Sequence, residues 1–269
     1  MPDSLAALAQ RISVLEQETS SRVDAMSPVP LQCPPIDGAL PGDGLARGAI
    51  HELAGPAGPG DQRGDGALMG FGTVLLSRLM QADEAARPAL WCMNRRLQHV
   101  GGLLSGHVYS PGLQAFGVPL DRLLFAYTGN DSETLWAMEE ALRSGAVCGV
   151  IGELNEFAPV AARRLQLAAQ GSGSTGLVLW PGRGLNAASF AETRWRLSAL
   201  PSPGGKIVPH WRVSLLRARR SAVSRDWAVR WQDGRLHASP AGAAAAIEAG
   251  AETGAGSAVS PLAYRPLTA

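Results

Sequence analysis

Long apolar runs are missing from this sequence. No stretch approaches the roughly 20 consecutive apolar residues that are needed to cross a bilayer. Acidic residues come early (Asp3, Glu16 and Glu18), and no apolar core of a secretory signal accompanies them. We therefore expect a cytoplasmic protein with no membrane partner.

Cysteine is also scarce. The chain has three cysteines, Cys33, Cys92 and Cys148, scattered without the spacing of metal ligands. This usage is typical of a protein from a reducing compartment. Because Cys92 and Cys148 lie in apolar runs, we expect them to be small core residues.

Acidic residues are rare in one part of the chain, although the overall net charge is only +1. Between Arg194 and Arg235 there are ten basic residues and two acids. Such a local excess of positive charge favours an anionic partner. We take six arginines as candidates for contact with DNA or a partner: Arg212, Arg217, Arg219, Arg220, Arg225 and Arg230.

Four tryptophans interleave with these arginines, namely Trp195, Trp211, Trp227 and Trp231. Aromatic residues among basic strands can stack on nucleic-acid bases. Alternation along a strand can instead bury the tryptophans while the arginines face solvent. Burial is the favoured interpretation, because tryptophans in short strands usually build the core.

The 269 residues, 46% of them hydrophobic, suffice for one sizeable core with small appendages. Composition predicts four segments. They are an N-terminal amphipathic helix (1–25), a Pro/Gly-rich extended linker (26–47), an α/β domain (48–238) and a disordered tail (239–269).

The N-terminal helix is predicted over residues 4–18 from one apolar stripe. Leu5, Leu8, Ile12 and Leu15 are spaced by three, four and three residues, which places them on one helix face. About two heptads are too short to be stable alone. The stripe must therefore dock on a partner, on another subunit or on its own domain.

The main domain alternates strands with helices up to about residue 180, and then changes to period-two strands. Alternation of this kind predicts an α/β fold, a mostly parallel sheet with helices on both faces, followed by C-terminal antiparallel strands. The predicted strands are 49–54, 89–93, 123–127, 147–151, 176–180, 193–197, 210–216, 227–231 and 235–238. The predicted helices are 67–82, 112–117, 132–144 (with Ser132 as N-cap) and 159–170.

A glycine-rich loop follows the first strand of this domain. Residues 55–60 match the first six positions of the phosphate-binding pattern GxxxxGK[ST], and Asp61 and Gln62 stand where Lys and Ser/Thr are required. A carboxylate in place of an ammonium changes the interaction with a phosphate by roughly 8 kcal/mol, at an effective dielectric of about 20. We interpret Gly55, Gly58, Gly60, Asp61 and Gln62 as a degenerate remnant, and expect neither a nucleotide cofactor nor a metal.

The segments 44–55, 116–124 and 142–147 resemble the ATPase core of RecA-like recombinases, and the resemblance covers roughly residues 40–182. More narrowly, the chain resembles the ImuA family, RecA-like accessory proteins of bacterial damage-induced mutagenesis that are also related to SulA. The motifs that carry this resemblance are HELAG (51–55), RPALWC (87–92), YSPGL (109–113), LWAMEEALRSG (135–145), RRLQLAA (163–169) and WRVSLLRAR (211–219).

Aligned on the recombinases, the chain lacks the ATPase residues at three strand ends. By this resemblance, the recombinase acid that activates water corresponds to a position near Asn94. The Mg²⁺-binding acid corresponds to Gly152, and the polar sensor corresponds to a position near Pro181. Glu153 is the one acid nearby, and the favoured interpretation makes it a solvated strand-end residue. No enzymatic activity is therefore expected.

The family resemblance implies a place in the SOS response to DNA damage. It implies a noncatalytic role beside ImuB, a Y-family polymerase homologue, and an error-prone replicative-type DNA polymerase. RecA, self-association and DNA are further partners that it raises. Two alternatives stay open: a divergent DNA-dependent ATPase that uses Glu153, and a cell-division inhibitor of the SulA type.

Overall fold

The computed structural model describes residues 26–55, 64–95, 108–181, 189–202, 208–219 and 224–240. These residues form an α/β fold around one nine-stranded mixed sheet, ordered β3-β2-β4-β5-β1-β6-β7-β8-β9. The strands are β1 Ile50–Ala54, β2 Ala89–Asn94, β3 Leu123–Thr128, β4 Gly149–Glu153, β5 Thr175–Trp180, β6 Thr193–Ala199, β7 His210–Ala218, β8 Arg225–Gln232 and β9 Arg235–Pro240. The helices are α1 Pro34–Asp37, α2 Gly64–Gln81, α3 Ser110–Ala115, α4 Asp131–Ser144 and α5 Pro159–Ser172, with a 3-10 turn at Leu120–Arg122.

The predicted change from parallel to antiparallel pairing is confirmed, and its position is at β6. Strands β1 to β5 pair in parallel, and β7 to β9 form an antiparallel meander. β6 pairs in parallel with β1 and antiparallel with β7, so it is not a purely antiparallel strand as its period-two pattern suggested. The period-two pattern correctly predicted which residues of β6 are buried, because Thr193, Trp195 and Leu197 are buried and the residues between them are not.

Helices cover both faces of the sheet. On one face, Phe71 of α2 packs against Trp195 and Trp211, with ring centroids 5.7 and 6.2 Å apart. On the other face, Met138 and Leu142 of α4 pack with Leu165 of α5 and with apolar residues of β1, β4 and β5. The sheet therefore separates two hydrophobic clusters, as expected of a sheet with helices on both sides.

The proline-rich segment 26–47 is not the extended linker that its composition predicted. Five of its apolar side chains are at most 4% exposed and belong to the core: Val29, Leu31, Ile36, Leu40 and Leu45. Val29 and Leu45 pair through two backbone hydrogen bonds of 2.8 Å. The Asp37 carboxylate accepts the amides of Leu31 and Cys33 at 2.7 and 2.9 Å. The prolines shape turns here, while the apolar residues between them supply the burial energy.

Several boundaries differ from those predicted. The N-cap of α4 is Asn130, whose side chain accepts the Glu133 amide at 3.0 Å, and not Ser132. β4 begins two residues later than expected and ends at Glu153. β9 continues through Ser239 and Pro240, which the sequence assigned to the tail. The rest of that tail, and the leucine stripe at Leu5, Leu8, Ile12 and Leu15, lie outside the described residues.

The described ranges contain neither a membrane-spanning helix nor a cluster of metal-ligating side chains. No helix there has the length and apolar character required to cross a bilayer. No group of three or more His, Cys, Asp or Glu side chains in those ranges is placed to hold a metal ion. All three cysteines are free and buried, so the prediction that Cys92 and Cys148 are core residues is confirmed.

Candidate functional site

The residues that the sequence singled out at strand ends lie along one edge of the sheet. Because β1, β2, β4 and β5 run in parallel, their carboxyl ends meet there, where ligands bind in open α/β sheets. Gly55 is buried, and its amide donates to the Trp180 carbonyl at 2.9 Å. The other predicted loop residues, Gly58, Gly60, Asp61 and Gln62, lie outside the described residues.

At the end of β2, Asn94 is fully buried. Its side-chain amide donates to Oδ1 of Asp131 at 2.6 Å. The Asp131 carboxylate also accepts the backbone amides of Asn155 at 3.1 Å and Glu156 at 3.0 Å. Asp131 thus joins the loop after β4 to the ends of β2 and α4, which is a structural role rather than activation of water. Sequence reasoning missed Asp131; the Asn-Asp pair before α4 was the signal for it.

At the end of β4, Gly152 occupies the position that the recombinase alignment assigns to the Mg²⁺-binding acid. A Cβ added there would collide with the Sδ, Cε and Cγ atoms of Met138. Met138 is fully buried in the core of that face. A side chain at position 152 therefore requires Met138 to move within the core.

Glu153 is 1% exposed, so the interpretation of it as a solvated strand-end residue is wrong. Its Oε1 accepts a hydrogen bond from Nε1 of Trp91 at 2.8 Å. Burial and the nearby Glu153 charge raise the pKa of the Cys92 thiol to about 12. Cys92 is therefore an unreactive thiol at neutral pH, and Glu153 is held within the sheet rather than presented to solvent.

The end of β5 has no polar sensor. Trp180, its last residue, is 4% exposed and is followed by the buried Pro181. The four strand ends therefore carry a glycine, a hydrogen-bonded amide, a buried carboxylate and a proline. Among the described residues at this edge, Arg95 follows Asn94 and is exposed, with its Cζ atom 5.2 Å from the centroid of the Tyr127 ring.

β1 contains two buried polar residues that sequence reasoning also missed. Glu52 is 1% exposed and accepts from Nε of Arg194 at 2.9 Å and from Oγ of Ser189 at 2.7 Å. His51 is fully buried between the Ala46 carbonyl and the Thr193 hydroxyl, each 2.8 Å from a ring nitrogen. Burial lowers the pKa of His51 to about 4. Both residues connect β1 to β6, where the parallel sheet meets the meander.

The four tryptophans of the C-terminal strands are buried, as expected. Trp195, Trp211, Trp227 and Trp231 are at most 8% exposed and belong to the core on the α2 side. Phe116 stacks near Trp211 and Trp231 with ring centroids 5.9 and 5.5 Å apart. These rings are therefore not available to stack on nucleic-acid bases.

The candidate arginines divide into four groups. Arg217 donates to the Ser189 carbonyl at 2.6 Å, and Arg219 lies 3.8 Å from the Glu192 carboxylate. Arg225 is exposed on the tryptophan side of β8, since it lies two positions before Trp227 on the same strand. Arg220 lies outside the described residues.

Arg212 and Arg230 lie on the face of the meander that is turned away from α2, and Arg196 shares it. We call these three residues the arginine face. Nε of Arg196 and Nε of Arg212 are buried without a hydrogen-bond partner among the described residues. Asp226 is an acid on the same face, paired with Ser214 in register. Arg230 is exposed, and Arg196 and Arg212 are half-buried, so part of the arginine face is open to solvent.

Two relatives match most of the chain. The proteins named Protein ImuA from two strains of Caulobacter vibrioides, NA1000 / CB15N and CB 15, are each 34% identical to it over 200 residues. The matched region covers 69% of this chain and 76% of each relative. The chain belongs to the ImuA family. The resemblance inferred from the sequence motifs is thereby confirmed.

A second match is partial. The Cell division inhibitor SulA of Edwardsiella piscicida is 38% identical over 77 residues, which cover 29% of this chain and 46% of that protein. This match covers too little of either protein to place the chain beside SulA rather than in the ImuA family. No protein-family model matches the chain.

Proposed function

We propose that this member of the ImuA family is a noncatalytic accessory protein of damage-induced translesion mutagenesis. In this proposal it acts as a scaffold for ImuB and an error-prone replicative-type DNA polymerase in the SOS response. The observation that carries the noncatalytic part is the contact between Met138 and Gly152. Where a nucleotide hydrolase of this fold needs a carboxylate for Mg²⁺, the core of the protein fills the space.

The other strand ends support the same proposal. Asn94 is engaged by Asp131, and Glu153 is engaged by Trp91. The alternative, a divergent DNA-dependent ATPase that uses Glu153, would require that carboxylate to leave a buried position and reach a metal. Desolvated carboxylates hold their hydrogen bonds strongly, so the buried arrangement favours a structural role.

Nucleotide turnover and partner capture test the proposal together. The purified protein is assayed for ATP binding and hydrolysis with and without single-stranded DNA. In parallel, tagged protein is recovered from damaged cells, and its bound partners are identified. We expect no hydrolysis and recovery of ImuB with the polymerase. Hydrolysis that Gly55→Ala or Glu153→Gln abolishes would support the ATPase, and capture of the division tubulin homologue without polymerase would support the SulA-type inhibitor.

We propose in addition that the arginine face contacts DNA through phosphates. The support is the segregation of Arg196, Arg212 and Arg230 to one face while the neighbouring tryptophans are buried on the other. Without accessible aromatic rings on these strands, binding would be independent of sequence and strongly salt-dependent.

Matched arginine variants test the DNA contact. Arg212→Ser with Arg230→Ser removes two charges from the arginine face. The control, Arg163→Ser with Arg225→Ser, removes two exposed charges from α5 and from the tryptophan side of β8. We expect the first pair to weaken binding to single-stranded DNA and to reduce the salt slope by about two. Equal effects of the two pairs, or an affinity independent of salt, would contradict a phosphate contact on this face.

A further inference from the structure

A groove lies between α4 and α5 on the outer surface of the protein. It consists of two adjoining depressions of about 370 and 270 Å³, and both are lined by Glu139 and Arg164. Leu135 and Trp136 line one depression, and Leu167 and Ala168 line the other. We call the surface formed by these six residues the α4–α5 groove.

Two large apolar side chains of the α4–α5 groove are exposed to solvent. Trp136 is 65% exposed and Leu167 is 57% exposed. The charges in its centre compensate one another, because Glu139 forms ion pairs with both Arg143 and Arg164. Large apolar side chains beside a neutralised centre are typical of a surface that another element covers.

The position of the N-terminal segment indicates which element this is. The described chain begins at Met26, whose sulfur lies 3.0 Å from where a Cβ of Gly173 would be. Gly173 caps the C-terminal end of α5. Ser172 lies beside Gly145, the C-cap of α4, so α4 and α5 end together. Met26, to which the first 25 residues are joined, therefore lies at one end of the groove.

The predicted helix at residues 4–18 has the length that the groove requires. At 1.5 Å per residue it would extend about 22 Å, and each of the 14-residue helices α4 and α5 extends about 21 Å. The seven residues 19–25 connect it to Met26. Such a tether can span up to roughly 23 Å, which allows the helix to turn back along the groove.

We propose that residues 4–18 dock in the α4–α5 groove of the same chain, with Leu5, Leu8, Ile12 and Leu15 covering Trp136 and Leu167. A tether of seven residues raises the effective concentration of the segment at the groove to about the millimolar range. A helix from a second copy would need a comparable protein concentration to compete. The same tether explains how a two-heptad helix that is unstable alone can form here.

Trp136 reports directly on this docking. The chain has seven tryptophans, and the six others are at most 8% exposed. Acrylamide quenching of tryptophan fluorescence in the full-length protein therefore measures the cover over Trp136, and subtraction of a Trp136→Phe variant isolates its signal. We expect Trp136 to be shielded in the unmodified chain, and its quenching constant to rise severalfold in Leu8→Asp with Ile12→Asp.

The matched control is Gln10→Asp with Gln17→Asp. It introduces the same two charges on the opposite side of the predicted helix, and we expect quenching to stay as in the unmodified chain. Efficient quenching of Trp136 in the unmodified chain, or an equal response to both pairs, would overturn the proposal. Circular dichroism on each variant verifies that the domain itself stays folded.

A cross-link distinguishes the same chain from a second copy. Arg11→Cys with Gly171→Cys introduces two thiols without changing the four stripe residues, and nothing lies within 4 Å of a Cβ at Gly171 on the rim of the groove. The native cysteines are buried. We expect a flexible bismaleimide to link the two within one chain, so that the product keeps the mass of a monomer. A cross-linked dimer would assign the groove to a second copy and overturn intramolecular docking, as would failure to link at all. Neither result depends on nucleotide hydrolysis or on mutagenesis, so this proposal can fail independently of the proposed function.

Discussion

The sulfur of Met138 fills the space in which a side chain at Gly152 would begin. Met138 belongs to α4 and Gly152 to β4, so the two elements approach closely at this strand end. A side chain introduced at position 152 must therefore displace Met138.

Gly152→Asp should unfold the protein more readily without creating an ATPase. Overpacking a core costs about 1–3 kcal/mol, and an unpaired buried carboxylate adds to that. We expect a loss of more than about 3 kcal/mol in the free energy of unfolding, measured by urea denaturation. In Met138→Ala with Gly152→Asp, part of that loss should be recovered. An unchanged urea midpoint for Gly152→Asp would show that the strand end has free space.

Two glycines of α2 should respond to alanine in opposite directions. A Cβ at Gly70 would lie 2.7 Å from Cζ2 of the buried Trp211, whereas nothing lies within 4 Å of one at Gly66. Alanine gains up to about 1 kcal/mol over glycine in a helix, but overpacking costs about 1–3 kcal/mol. We expect Gly70→Ala to be destabilising and Gly66→Ala to be stabilising by up to about 1 kcal/mol. Thermal unfolding of the pair checks the sign, and equal shifts would contradict the close approach of α2 to β7.

His51 should make stability depend on pH in a defined window. Burial lowers the pKa of His51 from 6.5 to about 4, so between these values the unfolded chain binds a proton that the folded protein does not. The contribution of neutral His51 to stability is therefore fully present above pH 6.5, and the free energy of unfolding declines as the pH falls toward 4. The titration of His51 alone should lower the free energy of unfolding by about 2 kcal/mol between pH 7.5 and pH 5.

Urea unfolding at the two pH values measures this effect. His51→Gln should flatten the difference, although it lowers stability at pH 7.5. His237→Gln, at an exposed position of β9, should leave the difference unchanged. A decline of the same size in His51→Gln would assign the pH dependence to other groups.

The hydrogen bond between Trp91 and Glu153 should appear as a coupling energy. Hydrogen bonds to charged groups contribute about 1.5–3 kcal/mol, and both partners here are buried. In a double-mutant cycle with Trp91→Phe and Glu153→Gln, we expect a coupling of at least about 1 kcal/mol in the free energy of unfolding. Additive effects would mean that the hydrogen bond between Trp91 and Glu153 contributes little to the free energy of unfolding.

Much of the architecture could be predicted from periodicity. The sequence pattern alternates strands with helices up to about residue 180, and the later strands show period two. Both patterns arise because the side chains on one face of a sheet or helix must be apolar where that face meets the core and polar where it meets solvent. The junction at β6 could not be predicted. Its alternation of buried and half-buried residues is the same whether its neighbour runs parallel or antiparallel, and only its pairing with β1 decides the matter.

The proline-rich segment shows a second limit. Proline and glycine indicate irregular backbone, but they do not indicate whether that backbone is solvated or packed. Val29, Leu31, Ile36, Leu40 and Leu45 reach the core because β9 and α2 leave apolar surface for them to cover. Asp37, the last residue of α1, holds this segment through backbone amides, and no sequence pattern predicted this role.

The sequence by itself determined the class of fold, the family and the absence of the phosphate-binding lysine, since each depends on residue type and spacing along the chain. Only the tertiary structure decided which side chain lies against Gly152, which arginines share a face and where Met26 lies relative to α4 and α5. These depend on contacts between residues far apart in the chain, such as Met138 with Gly152 and Met26 with Gly173. Such contacts arise from how the helices pack on the sheet, and local periodicity carries no information about them.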